Sequence, residues 1–281
     1  MSSIADAVRL APGPVDLSAI DTDAAPGYDG DKASGTADLE AMREELADLQ
    51  ERLFAEGRSG GRRSVLLVLQ GMDTSGKGGT LRHTVGLFDP QGVRITSFKA
   101  PTEEERSHDF LWRIEQALPE PGYVGVFDRS HYEDVLIARV RELAPADELE
   151  RRYGAINDFE QRLVDGGTTV VKCMLHVSAA EQRKRLLARL DDPTKFWKFN
   201  PGDIDERAYW AAYQQAYEVA LERTGQAVPW HVVPADKKWF RNLAVGTLLL
   251  DALRGLDPQW PAADFDVAEQ KARLEDEVPP A

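Results

Sequence analysis

The stretch LLVLQGMDTSGKGGTLRH, residues 66–83, decides the fold. Leu66–Leu69 is an unbroken apolar run, as expected of a buried strand. Residues 71–79 are glycine-rich, and a helix begins at about residue 77. Within that loop Gly71, Gly76 and Lys77 keep the spacing G-x-x-x-x-G-K of a phosphate-binding loop. The physical reason for such a loop is plain. Glycines let backbone N–H groups converge on phosphate oxygens, and the following helix adds the positive end of its dipole. Lys77 supplies a mobile point charge. Gly78 and Gly79 continue the open backbone, and Arg82 adds a second cation on the same helix. The bland alternative, a glycine turn between strand and helix, is disfavoured by having the right element on each side.

The residue after the lysine, usually a Ser or Thr that holds magnesium, is Gly78. Thr80 lies roughly 200° further round the helix and points elsewhere. Asp73, inside the loop, is better placed. A carboxylate there repels phosphate unless a cation bridges the two, which makes Asp73 a candidate magnesium ligand. A turn-forming aspartate that bonds its own backbone remains the other reading. A second apolar run, YVGVFDRS at 123–130, ends in Asp128, a strand-end acid of the kind that holds magnesium near phosphates. Arg129 beside it offers a planar fork for phosphate oxygens.

A third signal is basic. The helix expected over 178–190 carries Arg183, Lys184, Arg185 and Arg189, and the Pro/Gly-broken segment after it adds Lys195 and Lys198. Arg185 and Arg189 are four apart and are expected on one face, away from Leu186, Leu187 and Leu190. Such a run is either a solvated face or, next to a hinge-like segment, a lid over an anionic substrate at about 183–203.

Around these signals the chain alternates strand and helix. Strands are expected at 64–70, 93–98, 123–127, 168–177 and 228–233, with helices between them. This implies an α/β fold with a five-stranded parallel sheet covered on both faces. Ligands of such sheets gather beyond the carboxyl ends of the strands, where residues 71–77 and 128–130 both fall. The stretch DLEAMREELADLQERLF reads as one helix with an apolar stripe of Leu39, Met42, Leu46, Leu49 and Leu53. PTEEERSHDFLWRIEQAL reads as another, capped by Thr102 and Glu105; Ser178 and Glu181 form a second such box. A long helix is expected over 204–223. Residues 1–37 read as a flexible or surface-draped acidic arm, 38–257 as the catalytic domain, and 258–281 as an acidic, partly helical tail.

Composition narrows the function. The 281 residues are 42% hydrophobic and carry a net charge of −14, which argues against a nucleic-acid binder but not against a basic cleft on an acidic body. The lone Cys173 forms no internal disulfide, and the five histidines have no metal-ligand spacing. Neither a membrane span nor a signal peptide is evident, so a cytoplasmic protein is expected.

GMDTSGKGG, PTEEE, DFLWR, FDRSHYEDVL and DDPTKFWKFNPGD, in that order over residues 38–257, resemble the polyphosphate kinase 2 family. The resemblance implies a P-loop kinase-like three-layer sandwich with a helical lid, and Mg²⁺-dependent, reversible transfer of phosphate from inorganic polyphosphate to ADP or AMP. It also implies a homo-oligomer, a dimer or tetramer. Carried onto this chain, the family's loop acid and lysine match Asp73 and Lys77. Its strand-end pair matches Asp128 and Arg129, and its lid arginines match Arg185 and Arg189. SHYEDV resembles the branch that accepts AMP as well as ADP, although several such members have Asp where Gly78 stands. The competing readings are an ATP-dependent kinase of the same fold and a non-catalytic nucleotide- or polyphosphate-binding regulator. The absence of an N-K-x-D motif speaks against a guanine-nucleotide switch.

Overall fold

The computed structural model describes residues 2–277; the last four residues of the expected acidic tail, 278–281, lie outside them. Five strands run β1 Ser64–Gln70, β2 Val93–Ser97, β3 Val124–Asp128, β4 Thr168–His176 and β5 Trp230–Pro234. They form one sheet in the order β2-β3-β1-β4-β5, with every pairing parallel. β1 lies between β3 and β4, and all seven of its residues are buried. This is why its sequence is continuously apolar rather than alternating.

The helices, in chain order, are α1 Ile4–Val8, α2 Lys32–Ala41, α3 Arg43–Arg58, α4 Lys77–His83, α5 Glu103–Arg106, α6 Trp112–Glu115, α7 Ile137–Val140, α8 Ala146–Asp165, α9 Ala179–Leu190, α10 Gly202–Glu206, α11 Trp210–Arg223, α12 Lys238–Leu256 and α13 Val267–Glu275. α12 buries eleven of its residues and is the hub on which α1 to α4 pack; α8 and α11 meet α7. The Leu46, Leu49 and Leu53 stripe of α3 is buried within this domain.

Four expectations are corrected. The single helix at 38–54 is two, broken at Met42. The helix expected after Pro101 is two separate turns, α5 and α6, although the Thr102–Glu105 capping box forms in full. At α9 only half of the box forms: Ser178 caps the Glu181 N–H, while the Glu181 carboxylate turns to Arg185 and Lys184. The long helix expected from 204 starts instead at Trp210, after α10 and a short turn.

The acidic arm is draped rather than free. Ile4, Val8 and Leu17 are buried, Leu10 N donates to Trp230 O, and Leu17 N donates to Glu218 Oε1. Arg9 makes an antiparallel bridge to His231, so the arm covers the β5 edge that the sheet would otherwise leave open.

One buried polar network interrupts the apolar core. Lys172, in mid-β4, is fully buried and donates to Glu160 Oε2 (2.6 Å), Tyr132 Oη (2.9 Å) and Thr224 O (2.5 Å). Tyr132 Oη in turn donates to Glu160 Oε1 (2.7 Å). The network joins α8, β4 and α11 to the turn His131–Asp134 that follows β3.

Candidate active site

The loop after β1 and the turn after β3 leave the same sheet edge, because β1 and β3 are neighbours in register: Leu69 pairs with Asp128. Arg129 N donates to Leu69 O, which holds the two segments together. Across this junction Arg129 Nη2 donates to Asp73 Oδ1 at 2.8 Å. The loop acid and the strand-end arginine, 56 residues apart, are therefore one ion pair. Asp128 points its carboxylate at Ser97 Oγ (3.1 Å), on the β2 side.

The backbone here is held in unusual conformations. Thr74 and Arg129 have φ of 61° and 65°, the left-handed region that non-glycine residues avoid. Such strain persists only where surrounding contacts over-determine it, and it clusters at functional sites. Gly76 needs its φ of 114° and its missing side chain, since a Cβ there would overlap the Arg241 guanidinium. Gly78, at the start of α4, is open: nothing lies within 4 Å of an added Cβ.

Lys77 is turned back over the loop, its Nζ donating to Gly71 O at 2.6 Å. Burial lowers its pKa, and the Arg129 charge adds to the effect, against the opposing pull of Asp73, Asp128 and Glu133. Burial also works against the Arg129 charge, but Glu133 and Asp73 outweigh it and hold the guanidinium protonated. Glu133 is displaced upward by burial despite Arg129 and Lys77.

The cavity in front of the loop is lined by Asp73, Arg129, Glu133, Asp203, Glu206 and Tyr213, among others. Glu133 arrives because the one-turn helix His131–Asp134 brings the chain back to the loop. Tyr213 and Tyr217 arrive because they are four apart on α11. These residues were not singled out from the sequence. Glu133 sat inside a quoted motif and the tyrosines had helical spacing, so local signals existed. Asp203 closed the quoted segment DDPTKFWKFNPGD, and Glu206 had no signal beyond lying next to it.

The basic run divides. Arg189 Nη1 donates to Lys198 O (2.7 Å) and lies 3.4 Å from Asp203 Oδ2, so it ties the 191–203 segment back onto α9 at the cavity's rim. Lys195 pairs with Asp192, Lys198 lies over the Trp197 ring, and Arg82 is exposed on α4. Arg185 is different. It is buried, and its guanidinium donates to Thr74 O, Ser75 O, Ala235 O and Asp236 O at 2.6–3.0 Å.

The expected faces of α9 are thus corrected: Arg185 is buried beside Gln182 and Leu186, while Leu187 and Leu190 are each 45% exposed. Four carbonyls outweigh the cost of burying one guanidinium. Arg241, also buried, adds a bond to Ser75 O (3.3 Å). Arg185→Ala should therefore cost about 2–4 kcal/mol of stability by orphaning those carbonyls. Arg189→Ala should cost under about 1 kcal/mol, since Lys198 O faces solvent and the Asp203 contact, at 3.4 Å, is long. Urea denaturation of both variants checks this; equal midpoints would return Arg185 to the lid.

Among the described residues no group of three or more His, Cys, Asp or Glu side chains is arranged to hold a metal ion by itself. Magnesium at a phosphate site ordinarily takes only one or two carboxylates, with water and substrate phosphates completing the shell. The hard oxygens of Asp73 and Asp128 fit that role. No described helix is long and apolar enough to cross a membrane.

The sequence profile of the polyphosphate kinase 2 family matches residues 29–261. An AMP/ADP-polyphosphate phosphotransferase from Meiothermus ruber is 43% identical over 264 residues, 94% of this chain and 97% of that one. An ADP-polyphosphate phosphotransferase from Rhodopseudomonas palustris is 43% identical over 79% of this chain and 80% of its own. The crystal structure of polyphosphate kinase 2 from Arthrobacter aurescens TC1 superposes with a TM-score of 0.95 at 58% identity, covering 98% of both chains.

Proposed function

The chain belongs to the polyphosphate kinase 2 family, and on that premise we propose that it transfers the terminal phosphoryl of inorganic polyphosphate to ADP or AMP, reversibly and with Mg²⁺. The observation that carries this reading is the junction of the two loops. Lys77, Asp73 and Arg129 meet at the end of β1, and Asp128 closes the neighbouring strand.

The attacking group in this reaction is a phosphate oxygen that is already anionic, so no general base is needed. Catalysis reduces to alignment and neutralisation of charge. The loop N–H groups and the α4 N-terminus hold the terminal phosphates of the donor. Lys77 must leave the Gly71 carbonyl to reach them, a short swing within its own loop. Arg129, fixed by Asp73 and by its backbone bond to Leu69, offers its remaining N–H groups to the phosphoryl oxygens. Asp73 and Asp128 would hold magnesium, which supplies charge neutralisation between donor and acceptor phosphates. The cavity with Tyr213, Tyr217 and the 191–203 segment is the place for the acceptor nucleotide, and Arg189 fixes that segment at its rim.

The deciding experiment incubates the protein with ADP or AMP, polyphosphate and Mg²⁺ in the absence of ATP, and follows nucleotides by anion-exchange chromatography. ATP from ADP, or ADP from AMP, is the expected product. Phosphorylation only when ATP is the donor would overturn the proposal in favour of an ordinary nucleotide kinase.

A further inference from the structure

Arg241 stands in the first turn of α12, behind the phosphate loop, and is buried. Its guanidinium lies against the start of α4: a Cβ at Gly76 would overlap Nη1, and one at Gly79 would come within 2.6 Å of Nη2. Its hydrogen bonds among the described residues go to neutral oxygens. Nε and Nη2 donate to Asn242 Oδ1 (3.2 and 2.8 Å), and Nη1 donates to Ser75 O (3.3 Å). The neighbouring Arg185, by contrast, has a carboxylate partner, Glu181 Oε1 at 2.9 Å. Burial, with the Arg185 charge adding to it, pulls the Arg241 pKa down to about 9, so the group stays charged near neutral pH.

A buried charge without a counter-ion is costly to a folded protein. A second cation makes this one costlier. Arg185 Nη1 also donates to Ser75 O, at 3.0 Å, so two guanidinium groups meet on one carbonyl. The peptide they hold gives the reason. The Ser75–Gly76 unit is planar and trans, so its N–H points opposite to its C=O. With the oxygen drawn back toward the two arginines, Gly76 N–H faces the open side of the loop, where it makes no hydrogen bond among the described residues. Two cations at the oxygen end also polarise the peptide and strengthen its N–H as a donor to an anion.

We propose that Arg241 is a positioning residue for phosphoryl transfer: it holds the Ser75–Gly76 peptide from behind, so that Gly76 N–H is aimed and polarised toward the phosphate seated in the loop. The proposal rests on that loop seating the terminal phosphates of the donor. Arg241 touches no substrate and acts only through the loop backbone. The resting protein carries the cost of its unpaired guanidinium, and a phosphate bound at the other end of the peptide relieves it. Charge at position 241 is therefore expected to serve donor binding and to contribute little to the fold.

The test compares wild type with Arg241→Gln, which keeps an N–H donor for Asn242 but no charge, and with Arg241→Lys, which keeps the charge. Tripolyphosphate binding is measured by calorimetry with Mg²⁺ and without nucleotide, and KM is measured separately for tripolyphosphate and for ADP. Arg241→Gln should bind tripolyphosphate about ten-fold more weakly and raise its KM to match, while KM for ADP changes by less than about two-fold. Arg241→Lys should recover most of the affinity. The thermal midpoint of Arg241→Gln without ligand should hold or rise, since a buried charge is gone, and the upward shift on adding tripolyphosphate should shrink. Unchanged tripolyphosphate affinity in Arg241→Gln would overturn the proposal, as would an Arg241→Lys no better than Arg241→Gln. An equal rise in both KM values, or a variant that does not fold, would also overturn it and mark Arg241 as a support of the fold. A wild type that binds tripolyphosphate but phosphorylates no nucleotide would sink the reaction and leave the comparison of affinities to decide Arg241. A wild type that binds no tripolyphosphate would sink both.

Discussion

Asp73→Asn is expected to lower turnover by about 10²–10³, the cost of removing one preorganised charge from a phosphoryl-transfer site, while the thermal midpoint moves little. Asparagine keeps an oxygen where Asp73 Oδ1 accepts from Arg129, so the 2.8 Å contact can survive in weaker form. What disappears is the negative charge, and two consequences follow from its neighbours. Arg129 and Lys77 then repel each other with less compensation, in a place where burial and Arg129 already act against the Lys77 charge. Any magnesium bridging the loop to the donor phosphates also loses a hard oxygen ligand. A series of rates against free Mg²⁺ separates these effects. If Asp73 is a ligand, the Mg²⁺ requirement should shift to higher concentration as well as the maximal rate falling. A fall in rate with an unchanged Mg²⁺ dependence would leave Asp73 as the residue that positions Arg129. Near-wild-type turnover at limiting Mg²⁺ would remove it from the site altogether.

The largest effect on stability is expected far from solvent, at Lys172. Lys172→Met leaves Glu160 buried without its cation, and breaking a buried pair in this way typically costs about 3–5 kcal/mol. That is a large share of the ~5–15 kcal/mol that holds a domain folded. The double variant Lys172→Met/Glu160→Leu should recover much of the loss, because the stranded charge is gone and two apolar side chains replace the pair. Denaturant unfolding of the two singles and the double measures the coupling. The same variants should lose activity without touching substrate. Tyr132, held by Glu160 at 2.7 Å, sits in the turn that delivers Glu133 and follows Arg129. If the double variant is destabilised by the sum of the two singles, the pair is not coupled and Lys172 matters only through its packing.

The central strands β1, β3 and β4 were legible along the chain because each is mostly an apolar run, and burial on both faces demands that pattern whatever the partners are; the edge strand β2, VRITS, is largely exposed and showed itself only through its β-branched residues. The phosphate loop, the Thr102 cap and the Ser178 cap were legible for the same reason. Each is closed by backbone groups within a few residues, so local spacing carries the information.

What crosses the chain was not. Arg185 was expected beside Arg189 as a lid arginine, but its four carbonyl partners lie up to 111 residues away, and only the assembled sheet brings them within reach. The same applies to the Asp73–Arg129 pair, to Arg241 behind Gly76, and to the arm whose Leu10 and Leu17 find β5 and α11. Periodicity and spacing record interactions between near neighbours in sequence. Partnerships of buried charges depend on which distant segments share a low-dielectric interior, and that is decided only when the sheet is built.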